Sequence, residues 1–399
     1  MNTQEHINLV EQFAAHNYHP LPVVLTRGEG VWVEDVEGNR YLDMLASYSA
    51  LNQGHRHPKI LKALIEQVSR ICLTSRAFHN DQLGPFCKLL CEITGQDQVL
   101  LMNSGAEGVE TAIKCARRWG YKKKGVAPDK AEIVVCANNF HGRTITIISF
   151  STEPLYQDGF GPFTPGFRVI PYNDIDALQG AINENTVGFL VEPIQGEGGI
   201  IVPDKGYLKA AQEVCQQNRV LLILDEIQTG MGRTGKLFCY QYEDVKPDLL
   251  ILGKALGGGC MPVSAVCGPR AVMDAFVPGN HGSTFGGNPL ACAVGRAAVE
   301  VILEEKLPER SAELGEYFLA ELKKLNSPRV ADVRGRGLFI GVELKPDAGP
   351  ARLYCEELLK LGILAKDTHE KVIRFAPPLV IKKEEIDWAL ERIGAVLKG

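Results

Sequence analysis

The sequence predicts an α/β protein: a mostly parallel, mixed sheet covered by helices, followed by a smaller α+β region. Three observations carry this. From VLLMN (residues 99–103) to PVSAVCG (residues 262–268), strand-like runs alternate with helix-like segments, as in a doubly wound sheet. Several of those runs are continuously apolar, as strands buried on both faces are. Beyond about residue 295 the order changes to helix, strand, helix, strand, helix. A chain of 399 residues exceeds one ordinary core. The expected organisation is an N-terminal segment (1–48) associating with a small domain, a large domain (49–294) and that small C-terminal domain (295–399).

Taken in order, residues 1–48 read as a helix (Glu5–His16), a Pro-rich connector and the hairpin GVWVEDVEGNRYLDML, turning at Glu37-Gly38-Asn39. Amphipathic helices are expected over Pro58–Val68 and Leu83–Ile93. VLLMNSGAEGVETAIKCARRWG reads as a strand, a small-residue turn at Ser104-Gly105-Ala106, and a helix starting near Glu107. Bare amides at such a helix start, helped by the helix dipole, attract phosphate. The turn lacks G-x-G-x-x-G, which argues against a nicotinamide dinucleotide site. Strands are then expected at AEIVVCANN, TITIISF, FRVIPYN and VGFLVEPI, with helices near Ile175–Ile182 and over Tyr207–Gln217. HGSTFGGNP (residues 281–289) is a Gly-rich loop offering the hydroxyls of Ser283 and Thr284, and a long helix starts near Pro289. In the last region strands are expected at GLFIGVEL and VIRFAPPL, and helices at ARLYCEELLKLG and EEIDWALERIGAVL.

The chemistry concentrates between Leu221 and Leu256. One apolar run, Leu221–Leu224, leads into Asp225; another, Leu249–Leu252, leads through Gly253 into Lys254. Ligands of open α/β sheets bind beyond the carboxyl ends of the strands, so the acid and the lysine belong at one crevice. An acid facing a ring nitrogen and a lysine able to form a Schiff base are what pyridoxal phosphate requires. Two plainer readings compete. Gly230–Lys236 spells most of a phosphate loop after an acidic strand end, but Leu237 stands where the metal-binding Ser or Thr belongs, and the loop follows the acidic strand almost immediately with no strand of its own before it. Alternatively, Lys254 is a solvated lysine after a strand. Other candidates surround the pair. Phe140, His141 and Arg143 follow a strand end, where a ring could stack on a planar cofactor and an arginine could take a carboxylate two-pronged. Glu197 sits in the turn GEGG. Arg374 lies inside a strand, a costly place for a charge unless it meets an acid or a ligand. Tyr18 and Tyr48, at the two ends of the N-terminal hairpin, read first as packing.

Composition excludes several function classes. A net charge of −5 gives no basic field for nucleic acid or anionic lipid. The 11 cysteines are odd in number, scattered and mostly within apolar runs, as reduced cytoplasmic thiols are. Neither Cys87/Cys91 nor His55/His57 has the partners of a zinc site, so no metal is expected. Residues 1–13 resemble neither a secretory signal nor a transit peptide, and no apolar run is long enough for a membrane span. The expectation is a cytoplasmic enzyme.

SGAEGVETA, NFHGR, VEPIQGEGG, LLILDEIQTGMGRTG, LGKALGGG and HGSTFGGNP, in this order, resemble the class III aminotransferases of fold type I along essentially the whole chain. Within that class, YHPLPV at Tyr18, SYSALNQGHRHP at Tyr48 and VIRFAPPLVI at Arg374 are most similar to members acting on the δ-amine of ornithine. Members acting on acetylornithine or 4-aminobutyrate are the nearest alternatives. The resemblance implies pyridoxal 5'-phosphate held covalently by Lys254, with Asp225 at the pyridinium nitrogen and Gln228 at the ring hydroxyl. It also implies Phe140 on the ring, His141 beside it, and the turn Ser104-Gly105-Ala106 on the phosphate. Ser283 and Thr284 would reach the phosphate of the neighbouring subunit, giving a homodimer with shared active sites. Tyr18 and Arg143 would hold the distal end of ornithine, and Tyr48 would shape its pocket. Arg374 would take the α-carboxylate of glutamate, and Glu197 would neutralise Arg374 while ornithine is bound. L-ornithine and 2-oxoglutarate are the implied substrates.

Overall fold

The computed structural model describes residues 1–398. It contains three sheets. In the N-terminal one, β1 (Leu25–Glu29), β2 (Trp32–Asp35) and β3 (Arg40–Asp43) form an antiparallel meander. The central sheet consists of β4 (Gln98–Met102), β5 (Glu132–Cys136), β6 (Phe167–Ile170), β7 (Thr186–Val191), β8 (Leu221–Asp225), β9 (Leu249–Leu252) and β10 (Ser264–Gly268). Its spatial order is β4-β10-β9-β8-β7-β5-β6. All neighbours are parallel except β10, which runs antiparallel to both β4 and β9. Beyond it come β11 (Val330–Gly335), β12 (Ile340–Leu344), β13 (Ile363–Leu364), β14 (Lys366–Thr368) and β15 (Val372–Phe375). Four of these make an antiparallel sheet in the order β11-β12-β15-β14, while β13 joins the N-terminal sheet by pairing in parallel with β3.

Continuous burial of the central strands follows from their two-sided cover. Every residue of β7, β8 and β9 is buried. Successive side chains point to opposite faces. Leu221 and Ile223 pack with Val109, Ile113 and Ala116 of the helix Gly105–Trp119 on one face. Leu222 and Leu224 pack with Leu208, Ala211 and Cys215 of the helix Tyr207–Gln217 on the other. At roughly 2 kcal/mol per fully buried leucine, these runs fix the sheet far more firmly than strand propensity could.

Two expectations are corrected. TITIISF is no strand: Ile145–Ile148 is a helical turn, with Thr144 Oγ1 accepting the Ile147 N–H at its start. A run of β-branched residues mimics strand composition, but the cap and the burial of Ile147 and Ile148 beneath the turn decide otherwise. The first helix runs Thr3–Phe13, with Asn2 and Glu5 forming a capping box, so it begins and ends earlier than Glu5–His16.

Candidate active site

The carboxyl ends of β5, β7, β8 and β9 converge, and the C-terminal antiparallel sheet faces them through β15. Asp225 closes β8. Its Oδ1 accepts the Ile227 N–H at 3.0 Å, and its Oδ2 lies 2.7 Å from His141 Nδ1. Both residues are buried. Burial penalises the imidazolium, but the hydrogen bond and charge of Asp225 outweigh it and raise the His141 pKa. Lys254 follows β9 after Gly253 in a left-handed conformation, φ 47°. Burial pulls its pKa down to about 8; the charge of Glu197 opposes the fall, and that of Arg374 adds to it.

Asp225 and Lys254 line one cavity of about 190 Å³, together with Gly105, Ala106, Phe140 and Gln228. Gly105 and Ala106 open the helix Gly105–Trp119, ahead of its first intrahelical bond from Gly108 N to Ser104 O. Their amides therefore have no intrahelical acceptor. Ser104 Oγ accepts the Glu107 N–H at 3.2 Å as the helix cap, and Ser104 does not line the cavity. Gly142 is a position where only glycine fits: φ is 128°, and a Cβ would lie 2.9 Å from that of Ala106.

A second cluster borders the first. Arg374 is 1% exposed, and its Nη2 lies 2.9 Å from Glu197 Oε1. That contact is off the hydrogen-bonding direction, so Nε and Nη2 carry no hydrogen-bond acceptor among the described residues. Arg374 Nη1 donates to Gln228 Oε1 at 3.1 Å, and Gln228 Nε2 donates to Glu197 Oε1 at 3.2 Å. Burial would raise the Glu197 pKa, but the charges of Arg374 and Lys254 reverse that and hold it below the usual value. The Tyr48 ring lies 5.3 Å from the Arg374 guanidinium. It is placed there by a left-handed turn in which Ala46, Ser47, Tyr48 and Ser49 all have φ between 48° and 71°. Such a backbone costs about 1–2 kcal/mol per non-glycine residue. Asp43 Oδ1 offsets part of it by accepting the N–H groups of Leu45 and Ala46.

The remaining predicted residues sit further out. The Arg143 guanidinium lies 4.2 Å from the Tyr156 ring centre and 5.9 Å from that of Phe140. Tyr18 is 74% exposed. Ser283 Oγ accepts from Asn103 Nδ2 at 2.8 Å, Thr284 is exposed, and neither lines the cavity of its own chain. The segment resembling a phosphate loop serves instead to join parts of the fold. Its Arg233 is fully buried and donates to Leu338 O, Pro377 O and Asn52 Oδ1 at 2.6–2.9 Å.

Sequence reasoning missed Glu192, immediately after β7. It is 5% exposed, lines the cavity, and accepts the N–H groups of Phe140 at 2.9 Å and Gly196 at 3.1 Å. Burial raises its carboxyl to about 7. The signal was present, because an acid ending a buried parallel strand is what singled out Asp225. Among the described residues there is no metal-binding cluster, and no helix is long and apolar enough to cross a membrane.

Residues 13–397 match the Aminotransferase class-III family, and the chain belongs to it. It is a pyridoxal-phosphate-dependent aminotransferase. Its relatives include an ornithine aminotransferase of Geobacillus sp. (strain WCH70), 62% identical over 100% of this chain and 99% of the relative. The ornithine aminotransferase of Toxoplasma gondii ME49 superposes with a TM-score of 0.98 at 47% identity, covering 100% of this chain and 95% of that one. The acetylornithine aminotransferase of Elizabethkingia anophelis gives 0.91 at 50% identity, covering 100% and 99%.

Proposed function

We propose that the chain transfers the δ-amino group of L-ornithine to 2-oxoglutarate in two alternating half-reactions. The products are L-glutamate 5-semialdehyde and L-glutamate, which joins arginine and proline metabolism. The observation that carries this reading is the buried Glu197–Arg374 contact beside the Lys254 cavity. One pocket must serve a substrate whose reacting end bears only an amine and another that brings a carboxylate there. Glu197 masks Arg374 for ornithine. When it turns away, Arg374 offers Nε and Nη2, the pair of parallel donors suited to a carboxylate. The full-length likeness to proteins named ornithine aminotransferase agrees with this.

The residues present fit the cofactor: a buried amine, a held acid and bare helix-start amides around one cavity. Bound pyridoxal phosphate supplies an electron-withdrawing ring that stabilises the charge left when a proton leaves the carbon bearing the amine. Asp225, fixed by His141 and the Ile227 amide, would face the ring nitrogen. Gly105 and Ala106 would hold the phosphate, Phe140 would pack on the ring, and Gln228 would meet the ring hydroxyl. Lys254 would hold the cofactor covalently, and its free amine, of lowered pKa, would take the proton from the δ-carbon of ornithine. Tyr18 and Arg143 grip the distal amine and carboxylate, and Tyr48 narrows the path between. Ser283 and Thr284 complete the phosphate site of a second copy; Phe285 beside them, 55% exposed, is apolar surface for that copy to cover. Eleven unpaired cysteines suit the cytoplasm. The site then lies between the domain of residues 49–294 and that of residues 295–399, which residues 1–48 accompany.

Acetylornithine is the second reading, motivated by the Elizabethkingia anophelis neighbour. Both are tested by adding each amine to the yellow holoprotein without 2-oxoglutarate. L-ornithine should bleach the absorbance with release of one aldehyde per site, well ahead of acetylornithine. No bleaching, or the reverse preference, refutes the proposal.

A further inference from the structure

The turn that carries Glu197 is tied to two different sheets. On the central side, Gly196 N donates to Glu192 Oε2 at 3.1 Å, and Gln195 Nε2 donates to Ala137 O at 2.7 Å. On the other side, two residues of the C-terminal antiparallel sheet grip its carbonyls. Thr368 Oγ1, at the end of β14, donates to Glu197 O at 2.6 Å. Arg334 of β11 donates to Gly199 O through Nη2 at 2.7 Å and reaches Ile200 O through Nε at 3.2 Å. Thr368 is buried, and β14 pairs directly with β15, where Lys366 opposes Arg374 and Thr368 opposes Val372. The hydroxyl that holds the Glu197 carbonyl and the guanidinium that the Glu197 carboxylate masks are therefore carried on adjacent strands of one sheet.

We propose that Thr368 is a positioning residue for substrate choice. Its hydroxyl fixes the backbone of Glu197 relative to Arg374, so that unmasking is a rotation of the Glu197 side chain alone. Room for the turn to drift is also small on the cavity side, where a Cβ at Gly196 would come within 2.8 Å of the Gln228 side chain. Losing the hydroxyl leaves the Glu197 carbonyl without this donor, and the carboxylate loses its register over Arg374. Ornithine then meets a partly exposed positive charge, whereas glutamate, which needs that charge, does not suffer.

The inference rests on the masking role given to Glu197 above, and the test separates the two. In Thr368→Val, which keeps the shape and removes the donor, kcat/KM for the L-ornithine half-reaction should fall by about two- to tenfold, the loss of one net hydrogen bond. The L-glutamate half-reaction should stay within about twofold. Thr368→Ser should restore the ratio. A parallel fall of both half-reactions with a lowered melting temperature would mean a merely structural hydroxyl and overturn the inference, as would an unchanged ratio. Glu197→Gln is measured alongside. If it too leaves the ratio unchanged, the masking role itself fails; if it shifts the ratio while Thr368→Val does not, only the inference about Thr368 fails.

Discussion

Stripped of its cofactor, the protein presents Lys254 as a free amine, and only a neutral amine can add to an aldehyde. Burial lowers its pKa from 10.5 to about 8. At pH 7 roughly 9% of the amine is then neutral, against roughly 0.03% for an unperturbed lysine, a ~300-fold advantage in reactive nucleophile. The sign is fixed by the charge: a depressed lysine pKa means the reactive form accumulates as pH rises through 8 and saturates above about 9. Glu197 is the largest charge holding the proton on Lys254. Replacing it by glutamine removes that hold and leaves Arg374 unbalanced, so the midpoint must move to lower pH. The assay is stopped-flow absorbance of apoprotein mixed with pyridoxal phosphate from pH 6 to 10.5, with Nα-acetyl-lysine titrated in parallel to remove the ionisation of the aldehyde itself. A rate still climbing towards pH 10.5, or a midpoint moving up in Glu197→Gln, refutes the reasoning.

Other outcomes follow from the same geometry. Tyr18→Phe should lose preference for ornithine while its L-glutamate half-reaction stays unchanged; equal discrimination removes Tyr18 from the substrate site. Asp225→Asn should slow both half-reactions together by about a hundredfold or more, because the amide can neither balance the ring nitrogen nor sustain the His141 charge; single-turnover kinetics with each substrate will show it. Arg233→Ala strips the donor from two buried carbonyls and Asn52, so denaturant unfolding should show a loss of about 3–5 kcal/mol. The double variant Ser283→Ala, Thr284→Val should weaken cofactor retention about tenfold, a net loss of one to two hydrogen bonds, without altering the residue to which the cofactor is attached.

How far the sequence could be read depended on how local the cause was. β8 and β9 were legible because burial on both faces demands unbroken apolar runs, and the charged residue ending each run then had to face the crevice. Asp225 and Lys254 do line one cavity. The helix start at Ser104 was legible within two residues, because the Ser104–Glu107 capping box lies entirely within one turn of chain. β1 was not: its residues LTRGE are mostly exposed, so neither periodicity nor apolarity marks them. The left-handed turn Ala46–Ser49 was invisible for a related reason. It contains no glycine, and it persists because distant packing and Asp43 hold it. Reading TITIISF as a strand failed because β-branched residues signal a half-buried surface more than a backbone conformation. The pairing of His141 with Asp225, 84 residues apart, and the double tie on the Glu197 turn required the fold itself.

The proposed covalent attachment of the cofactor to Lys254, just beyond β9, is the step on which the rest depends. Reducing the yellow holoprotein with borohydride and mapping the labelled peptide tests it directly. The label should fall on Lys254 alone and vanish in Lys254→Ala. A label on any other lysine, or a protein that binds the cofactor yet traps none of it, contradicts the account.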